Sequence, residues 1–254
     1  MFKYLARYYN CLSYHCPSGE DMTKKVLKQI HLKEPHPAVA NIGFGKGNEC
    51  LLLAKHYSNI VAIEGNAGYI EEFTKRVEKE NLKDKIQIVS SSLENLSFEN
   101  ESFDLILSEG GINYSDFGSR INSWKPFLKN GGYLALSELC VFKDVELPYD
   151  LADYLCDSYP FRGIETTDYK IEQIKNAGYK LCGQHKLPDS CWFDFYRDKT
   201  NCYEEMPQRW KNSREGNQVA EYIEEAKYFY TMYKEYFGYI YFILRKPLGD
   251  TEIL

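Results

Sequence analysis

The fold is predicted most directly by Asn41-Ile42-Gly43-Phe44-Gly45-Lys46-Gly47, together with Val61-Ala62-Ile63-Glu64 further along the chain. An apolar run ends in three alternating glycines, a helical pattern comes next, and a second apolar run closes on a carboxylate. Glycines allow the backbone to pass close to a ligand where a Cβ atom would collide. A carboxylate at the end of the second strand accepts hydrogen bonds from ribose hydroxyls. The pattern therefore predicts a β-loop-α-β unit that binds a nucleoside.

The spacing of the glycines separates two classes of nucleoside cofactor. The sequence has G-x-G-x-G, whereas dinucleotide-binding proteins have G-x-G-x-x-G. The negative charge of Glu64 would also repel the additional phosphate of an NADP-type ligand. We therefore favour S-adenosylmethionine (SAM) over NAD as the ligand of this loop.

Composition excludes several classes of protein. The 254 residues carry a formal net charge of -6, so no basic surface favours nucleic acid. The eight cysteines form no C-x-x-C pair and no cluster with zinc-ligand spacing, which predicts no metal site. The chain begins without an apolar signal-peptide region and has no apolar run long enough to span a membrane. We expect a soluble cytoplasmic protein with reduced thiols, and cysteine pairing is the less favoured alternative.

Strand-like and helical patterns alternate through the first half of the chain. This alternation predicts a doubly wound, Rossmann-like α/β fold with helices on both faces of a parallel sheet. A helix over 21–30 precedes the first strand, and Asn130-Gly131-Gly132 predicts a tight turn that starts the fifth strand. The predicted strands are 38–42, 60–64, 86–90, 103–108 and 132–138, with helices over 48–56, 68–80 and 117–128.

The second half has longer helices and only two strands. We expect helices over 147–159 and 167–177, a strand over 179–187, and a last strand over 238–244. The seventh strand is expected to run antiparallel and to form an edge of the sheet. The aromatic stretch 188–237, with a long helix over 218–236, is predicted to be a cap inserted before that strand. The chain is thus expected to form one domain, 1–254, in which 1–30 forms an N-terminal helical lid.

Three motifs carry a resemblance to a known family. They are the Asn41–Gly47 loop, the strand end Ser108-Glu109-Gly110, and Cys191-Trp192 before the aromatic cap. In these motifs, the chain resembles bacterial class I SAM-dependent methyltransferases that act on small molecules, in the group that includes ubiquinone and menaquinone methyltransferases. The resemblance covers nearly the whole chain. It implies a seven-stranded sheet, SAM as cofactor and a small-molecule methyl acceptor.

The resemblance also implies which residues contact the cofactor. The three glycines would pass under the methionine part and the ribose of SAM. Glu64 would bind the ribose hydroxyls, and the residues after the third strand would reach the adenine. Plain turn formation would explain the serines in that segment almost as well. The implied cofactor-binding residues are Asn41, Gly43, Gly45, Gly47, Glu64, Ser92, Leu93 and Ser108.

Two residues of the loop depart from the family pattern. The family usually has Asp or Glu at the position of Asn41, where a carboxylate helps to organise the amino group of the methionine part. Asparagine still accepts a hydrogen bond but brings no charge, and charge-assisted hydrogen bonds are roughly twice as strong as neutral ones. Lys46 adds a positive charge where the family has a small hydroxyl residue. These departures predict weaker cofactor binding than usual, or a different pose.

Three residues are candidates for handling a proton: Glu109, Tyr114 and His185. Glu109 ends the fourth strand at the edge where open α/β sheets bind ligands, and burial there would raise its pKa. A purely structural role remains open for each of the three. Methyl transfer from a sulfonium does not require a dedicated base, because alignment of the reacting atoms supplies much of the rate.

The aromatic cap supplies the candidate substrate residues, Trp192 and Tyr196. Aromatic walls near Asp194, Glu204 and Glu205 favour a cationic or amine acceptor. The same walls also suit a flat apolar acceptor, or an interface between two copies of the chain.

Three functions are consistent with these patterns. The leading interpretation is a SAM-dependent enzyme that methylates a small molecule. The alternatives are a NAD-dependent oxidoreductase and a non-catalytic SAM-binding protein on the same fold. The chain lacks the Asn/Asp-Pro-Pro-aromatic signature of enzymes that methylate amino groups of DNA bases, which argues against a nucleic-acid substrate. We expect no membrane partner, and a homodimer is compatible with the aromatic surface.

Overall fold

Seven strands form the centre of the molecule. The computed structural model describes residues 2–14, 16–110, 116–142, 145–158 and 164–249. The strands are β1 (Ala38–Ile42), β2 (Asn59–Glu64), β3 (Ile86–Ser90), β4 (Phe103–Glu109), β5 (Leu128–Val141), β6 (Lys180–Lys186) and β7 (Phe237–Arg245). They lie in one sheet in the order β3-β2-β1-β4-β5-β7-β6. The predicted seven-stranded sheet is confirmed.

Most neighbouring strands run parallel. The parallel pairs are β3–β2, β2–β1, β1–β4 and β4–β5, whereas β7 is antiparallel to both β5 and β6. The antiparallel last strand is therefore confirmed. Because β1, β2 and β4 are parallel neighbours, their carboxyl ends meet at one edge of the sheet. That edge carries the glycine loop, Glu64 and Glu109.

The expected place of the last strand is wrong. β7 lies between β5 and β6 instead of forming an edge, and β6 is the edge strand. Burial gives the reason, because eight consecutive residues of β7, 237–244, are buried, whereas exposed and half-buried residues alternate along β6. A continuous apolar strand requires cover on both faces, while an alternating strand tolerates solvent at an edge.

The fifth strand begins earlier than predicted. Leu128 already pairs with Phe103, and the register then shifts before Leu105 pairs with Tyr133. Gly131 has a φ of +80°, so the predicted turn is a local irregularity within the strand rather than its start.

Helices cover both faces of the sheet, as predicted. The helices are α1 (Phe2–Cys11), α2 (Glu20–Leu27), α3 (Asn48–Leu53), α4 (Ala67–Lys79), α5 (Phe117–Trp124), α6 (Tyr149–Ser158), α7 (Thr167–Asn176), α8 (Asp189–Glu204), α9 (Gln208–Lys211) and α10 (Arg214–Tyr233), with a 3-10 turn at Lys125–Phe127. One face of the sheet packs on α2, α3, α4, α6, α8 and α10, and the other packs mainly on α5 and α7. Within the described ranges, none of the helices is both long enough and apolar enough to cross a membrane.

The first helix packs on the insertion between β6 and β7. Tyr8 and Leu12 share a separate apolar cluster with Met206, Trp210 and other residues of α8–α10. A disulfide between Cys11 and Cys202 links α1 to α8. The expectation that all thiols are reduced is therefore wrong for this pair. The two cysteines are 191 residues apart in sequence, so no short spacing motif announces the bond.

Candidate active site

A cavity of about 680 Å³ lies at the carboxyl ends of β1, β2 and β4. Its size is in the usual range of small-molecule and cofactor pockets. Four parts of the chain line it: the glycine loop with the strand ends, the N-terminal segment from Tyr9 to Ser18, the helix α6, and residues of the insertion and of β7, most of which are aromatic. Segments far apart in sequence therefore share one space.

The three glycines of the loop have different surroundings. All three adopt positive φ angles, of 75° at Gly43, 51° at Gly45 and 77° at Gly47, which favour glycine. Gly43 and Gly45 line the cavity, and Gly47 does not. A Cβ atom at Gly47 would lie 2.2 Å from ring carbons of Phe73. Gly47 therefore makes room for a core side chain, while the first two glycines are free to approach a ligand.

Glu64 joins the end of β2 to the glycine loop. Its Oε2 accepts a hydrogen bond from the Gly45 N–H at 3.0 Å, and its Oε1 accepts from the N–H groups of Gly65 and Asn66, each at 2.9 Å. The side chain is buried but still lines the cavity. An ionised carboxylate offers about four acceptor sites, so Glu64 retains capacity for ligand hydroxyls. This arrangement fits a ribose.

Asn41 lies inside β1, below the cavity. It is buried beside the Cys50 thiol, and its Nδ2 has no hydrogen-bond partner among the described residues. A buried donor without a partner is uncommon and calls for a specific explanation. The cavity lining, however, does not include Asn41. Weaker cofactor binding because of Asn41 stays a prediction.

Lys46 has a structural partner. Its Nζ lies 2.7 Å from Glu72 Oε2 and donates to the Asn10 carbonyl oxygen at 2.6 Å. The ion pair neutralises the charge, and the second bond connects the glycine loop to the N-terminal segment. Asn48 Nδ2 adds a bond to the Ser13 carbonyl oxygen at 3.0 Å. Lys46 thus fixes the N-terminal segment beside the loop.

Of the remaining predicted cofactor-binding residues, Leu93 lines the cavity, whereas Ser92 and Ser108 do not. Leu93 lines the cavity, as expected for a residue that contacts the adenine. Ser92 is exposed, and its Oγ accepts a hydrogen bond from the Glu94 N–H at 3.4 Å. Ser108 is buried within β4. Neither serine is part of the lining, so the geometry gives Leu93 the stronger case for cofactor contact.

Glu109 lies in the cavity wall with defined partners. Its Oε1 accepts hydrogen bonds from Thr23 Oγ1 at 2.6 Å and from Tyr241 Oη at 3.0 Å. Glu49, from the first turn of α3, also lines the cavity. Burial raises the pKa of both carboxyls above the ordinary range, and the Glu49 charge raises that of Glu109 further. This pair can therefore hold a proton near neutral pH.

We expect Glu109→Gln to stabilise the protein at pH 8 and to change its stability much less at pH 5. Because the folded-state pKa of Glu109 is raised, the folded chain binds more protons than the unfolded chain between about pH 4.5 and pH 8, and stability falls as pH rises through that range. Glutamine keeps an acceptor for Thr23 and Tyr241 without the charge. Urea denaturation at both pH values measures the difference.

The exposed Glu94→Gln change is the control for this experiment, since it should alter stability equally at both pH values. If the effect of Glu109→Gln were independent of pH, or larger at pH 5, the elevated pKa of Glu109 would be refuted.

The other two catalytic candidates receive no support from position. Tyr114 lies outside the described residues. His185 is on the edge strand β6, where its Nε2 forms a hydrogen bond with Gln29 Nε2 at 2.8 Å, and it does not line the cavity. Of the two candidates that the structure describes, Glu109 lines the cavity and His185 does not.

The two substrate candidates do lie at the cavity. Trp192 and Tyr196 are on the inward face of α8, and Trp192 stacks on Tyr230 with ring centroids 4.1 Å apart. The acids expected to attract a cationic acceptor are elsewhere. Asp194 pairs with Arg197 and Glu204 pairs with Lys211, while Glu205 lies near Cys11, and none of the three lines the cavity.

Two functional candidates were missed in the sequence. Glu49 follows the glycine loop by two residues and lies in the first turn of the helix that starts at the ligand edge. This position in the sequence could have identified Glu49 as a residue of the site. Lys199 is three residues after Tyr196 and seven after Trp192, which is the spacing of one helical face. Thr23 and Tyr241 gave no such signal, because they lie 86 and 132 residues from Glu109.

Comparisons with known proteins agree with this geometry. Residues 40–136 match the model of the family described as "Methyltransferase domain". Erythromycin 3''-O-methyltransferase of Saccharopolyspora erythraea is 27% identical over 125 residues, which are 48% of this chain and 39% of that protein. Demethylmenaquinone methyltransferase of Bacteroides fragilis is 25% identical over 144 residues, which are 55% of this chain and 58% of that protein. The chain thus matches less than two thirds of either relative.

The fold is also found in a solved structure. A SAM-dependent methyltransferase from Geobacter sulfurreducens, in complex with S-adenosylhomocysteine, has a TM-score of 0.78 to this chain at 15% identity. The similarity covers 95% of this chain and 97% of that one. The family match includes the glycine loop, Glu64 and Glu109, which are the residues that form the ligand edge of the cavity. Residues 40–136 therefore match a methyltransferase domain, and the fold of the chain is that of a SAM-dependent methyltransferase.

Proposed function

We propose that this protein transfers a methyl group from SAM to a small-molecule acceptor by in-line displacement. One observation carries the proposal: the cavity joins the glycine loop and Glu64 to the aromatic wall of the insertion. A polar part that would take a nucleoside and an aromatic part that would take a second molecule therefore share one cavity. Placing two reactants in one cavity removes much of the entropic barrier to their reaction.

The chain's own residues have distinct roles in this proposal. Glu64 accepts the ribose hydroxyls, Gly43 and Gly45 allow close approach of the backbone, and Leu93 packs on the base. When bound, SAM supplies a methyl group on a sulfonium, which is already an activated donor. The N-terminal segment and the insertion cover the cavity and exclude water from it, as lids do in other enzymes.

Glu109 is proposed to hold or accept a proton of the acceptor. It lies at the cavity with one oxygen fixed by Thr23 and Tyr241, so the orientation of its carboxyl group is defined. Because burial raises its pKa, it can exchange a proton near neutral pH. An acceptor that must lose a proton on methylation would therefore find a base in the wall of the cavity.

The two alternative functions are not favoured. A NAD-dependent oxidoreductase would need the G-x-G-x-x-G loop that the chain lacks. An altered cofactor loop would favour a non-catalytic SAM-binding protein, but the charge of Lys46 in that loop is balanced by Glu72.

Two measurements test the proposal. First, SAM and S-adenosylhomocysteine at a hundredfold excess over Kd should each raise Tm by roughly 5–10 °C, since about 2.7 kcal/mol of binding linkage shifts a protein of this size by that amount. NADH should not raise it. Second, incubation with methyl-labelled SAM and an unfractionated bacterial cell extract should place the label in compounds below about 1 kDa.

Each outcome has a clear meaning. A shift with NADH alone would contradict SAM as the cofactor. Label that appeared only in protein or nucleic acid would contradict the small-molecule acceptor. Glu64→Ala is the negative control for both measurements, because it removes the proposed ribose acceptor and should give neither a shift nor transfer.

A further inference from the structure

The insertion places Lys199 in the cavity, where this cation has no counter-ion among the described residues. Lys199 is on α8, on the same face as Phe195 and Tyr196, and it is only 7% exposed. Its Nζ lies 4.7 Å from the ring centroid of Phe195 and 4.7 Å from that of Tyr222. Among the described residues, no carboxylate or hydrogen-bond acceptor contacts this ammonium group.

The other buried lysines in the described ranges are paired. Lys46 lies 2.7 Å from Glu72, and Lys170 lies 3.4 Å from Glu138 and 3.3 Å from Glu165. Buried charges in proteins normally have such partners, because burial without one is costly. Burial accordingly lowers the pKa of Lys199 to about 8, and no neighbouring carboxylate offsets this effect. Lys199 is therefore the buried lysine whose partner is missing from the described chain.

The acidic residues of the cavity are on other elements. Glu64 ends β2, Glu109 ends β4 and Glu49 starts α3, whereas Lys199 projects from the insertion. Two rings, Phe195 and Tyr222, lie against the ammonium group. The insertion and β7 also contribute Trp192, Tyr196, Phe237 and Tyr239 to the cavity lining. A ligand that fits this half of the cavity would be flat and apolar, with a negative group directed at Lys199.

We propose that Lys199 binds an anionic oxygen group of the methyl acceptor, a carboxylate or a phosphate carried on a flat apolar body. This inference rests on the proposed function and specifies its substrate class. It replaces the cationic acceptor expected from Asp194, Glu204 and Glu205, none of which lines the cavity. Two aromatic faces hold the ammonium in place before the ligand arrives, so little side-chain freedom is lost on binding.

The test uses three probes that share a naphthalene ring and differ in the attached group: 2-naphthoate, 2-naphthyl phosphate and 2-naphthamide. Each is titrated calorimetrically into the full chain saturated with S-adenosylhomocysteine. We expect at least one anion to bind tenfold or more tightly than the amide, and comparison of the two anions distinguishes carboxylate from phosphate. In Lys199→Gln, the affinity for the anion should fall to that for the amide. In Lys199→Arg, most of the difference in affinity between anion and amide should remain.

A matched control variant and a titration with S-adenosylhomocysteine distinguish failure of the Lys199 proposal from failure of the proposed function. Lys227→Gln changes a lysine on α10 that pairs with Glu224 outside the cavity lining, and it should leave all three affinities unchanged. Lys199→Gln should bind S-adenosylhomocysteine as the parent does, which excludes misfolding. If the parent fails to bind S-adenosylhomocysteine, the proposed function fails, and the same probes are titrated into the free protein.

With or without bound S-adenosylhomocysteine, the role of Lys199 is tested by the affinity of the anionic probes relative to that of the amide. Anions that bind no more tightly than the amide, or that do not bind at millimolar concentration, would overturn the role of Lys199. A preference for the anion that survives in Lys199→Gln would overturn it as well.

Discussion

Glu64→Ala should weaken S-adenosylhomocysteine binding by a factor of a hundred or more. The variant loses the proposed acceptor for two ribose hydroxyls, and hydrogen bonds to a charged group contribute roughly 1.5–3 kcal/mol each, where about 1.4 kcal/mol is a factor of ten. It also leaves the N–H groups of Gly45, Gly65 and Asn66 without their acceptor, so the glycine loop loses its fixed position. Isothermal titration calorimetry measures the loss directly.

The controls for this experiment separate charge from shape. Glu64→Gln keeps an acceptor oxygen but loses the charge, so its affinity should lie between those of the parent and Glu64→Ala. Glu71→Ala removes an exposed carboxylate on α4 that pairs with Lys75, and it should bind as the parent does. If Glu64→Ala bound S-adenosylhomocysteine within threefold of the parent, Glu64 would not be the ribose ligand.

Gly47→Ala should destabilise the fold by about 2–5 kcal/mol. The residue has a φ of +77°, which costs a non-glycine residue roughly 1–2 kcal/mol. The new methyl group would also lie 2.2 Å from the ring of Phe73, and overpacking of a core costs about 1–3 kcal/mol. Because Gly47 does not line the cavity, the loss should appear in urea denaturation of the ligand-free protein.

Two further variants identify the cause of this effect. Gly118→Ala changes a glycine inside α5 whose new Cβ would meet Gln173 no closer than 3.4 Å, and it should cost less than about 1 kcal/mol. Phe73→Leu should partly rescue Gly47→Ala, so that the double variant is more stable than the sum of the single changes predicts. Equal stability of Gly47→Ala and the parent would contradict the packing described here.

Much of the fold could be predicted from local patterns. The runs 38–42 and 86–90 are strands with the predicted bounds. The first lies inside the parallel part of the sheet, where strands are apolar on both faces, and the second forms an edge of the sheet. The glycine loop and Glu64 were identifiable because backbone conformation and nucleoside binding require particular residues at fixed spacing. These features depend on residues close together in sequence, so local patterns were enough to predict the proposed cofactor edge of the cavity.

Other features depend on which distant segments meet. Three of them join residues or strands that no local pattern relates. They are the disulfide between Cys11 and Cys202, the contacts of Glu109 with Thr23 and Tyr241, and the position of β7 between β5 and β6. The acids of the insertion illustrate the same limit, since Asp194 is near Trp192 in sequence but pairs with Arg197 outside the cavity lining. Helical periodicity places residues on a face, but only the tertiary structure decides which face of α8 is enclosed. That choice put Lys199, and not Asp194, in the cavity.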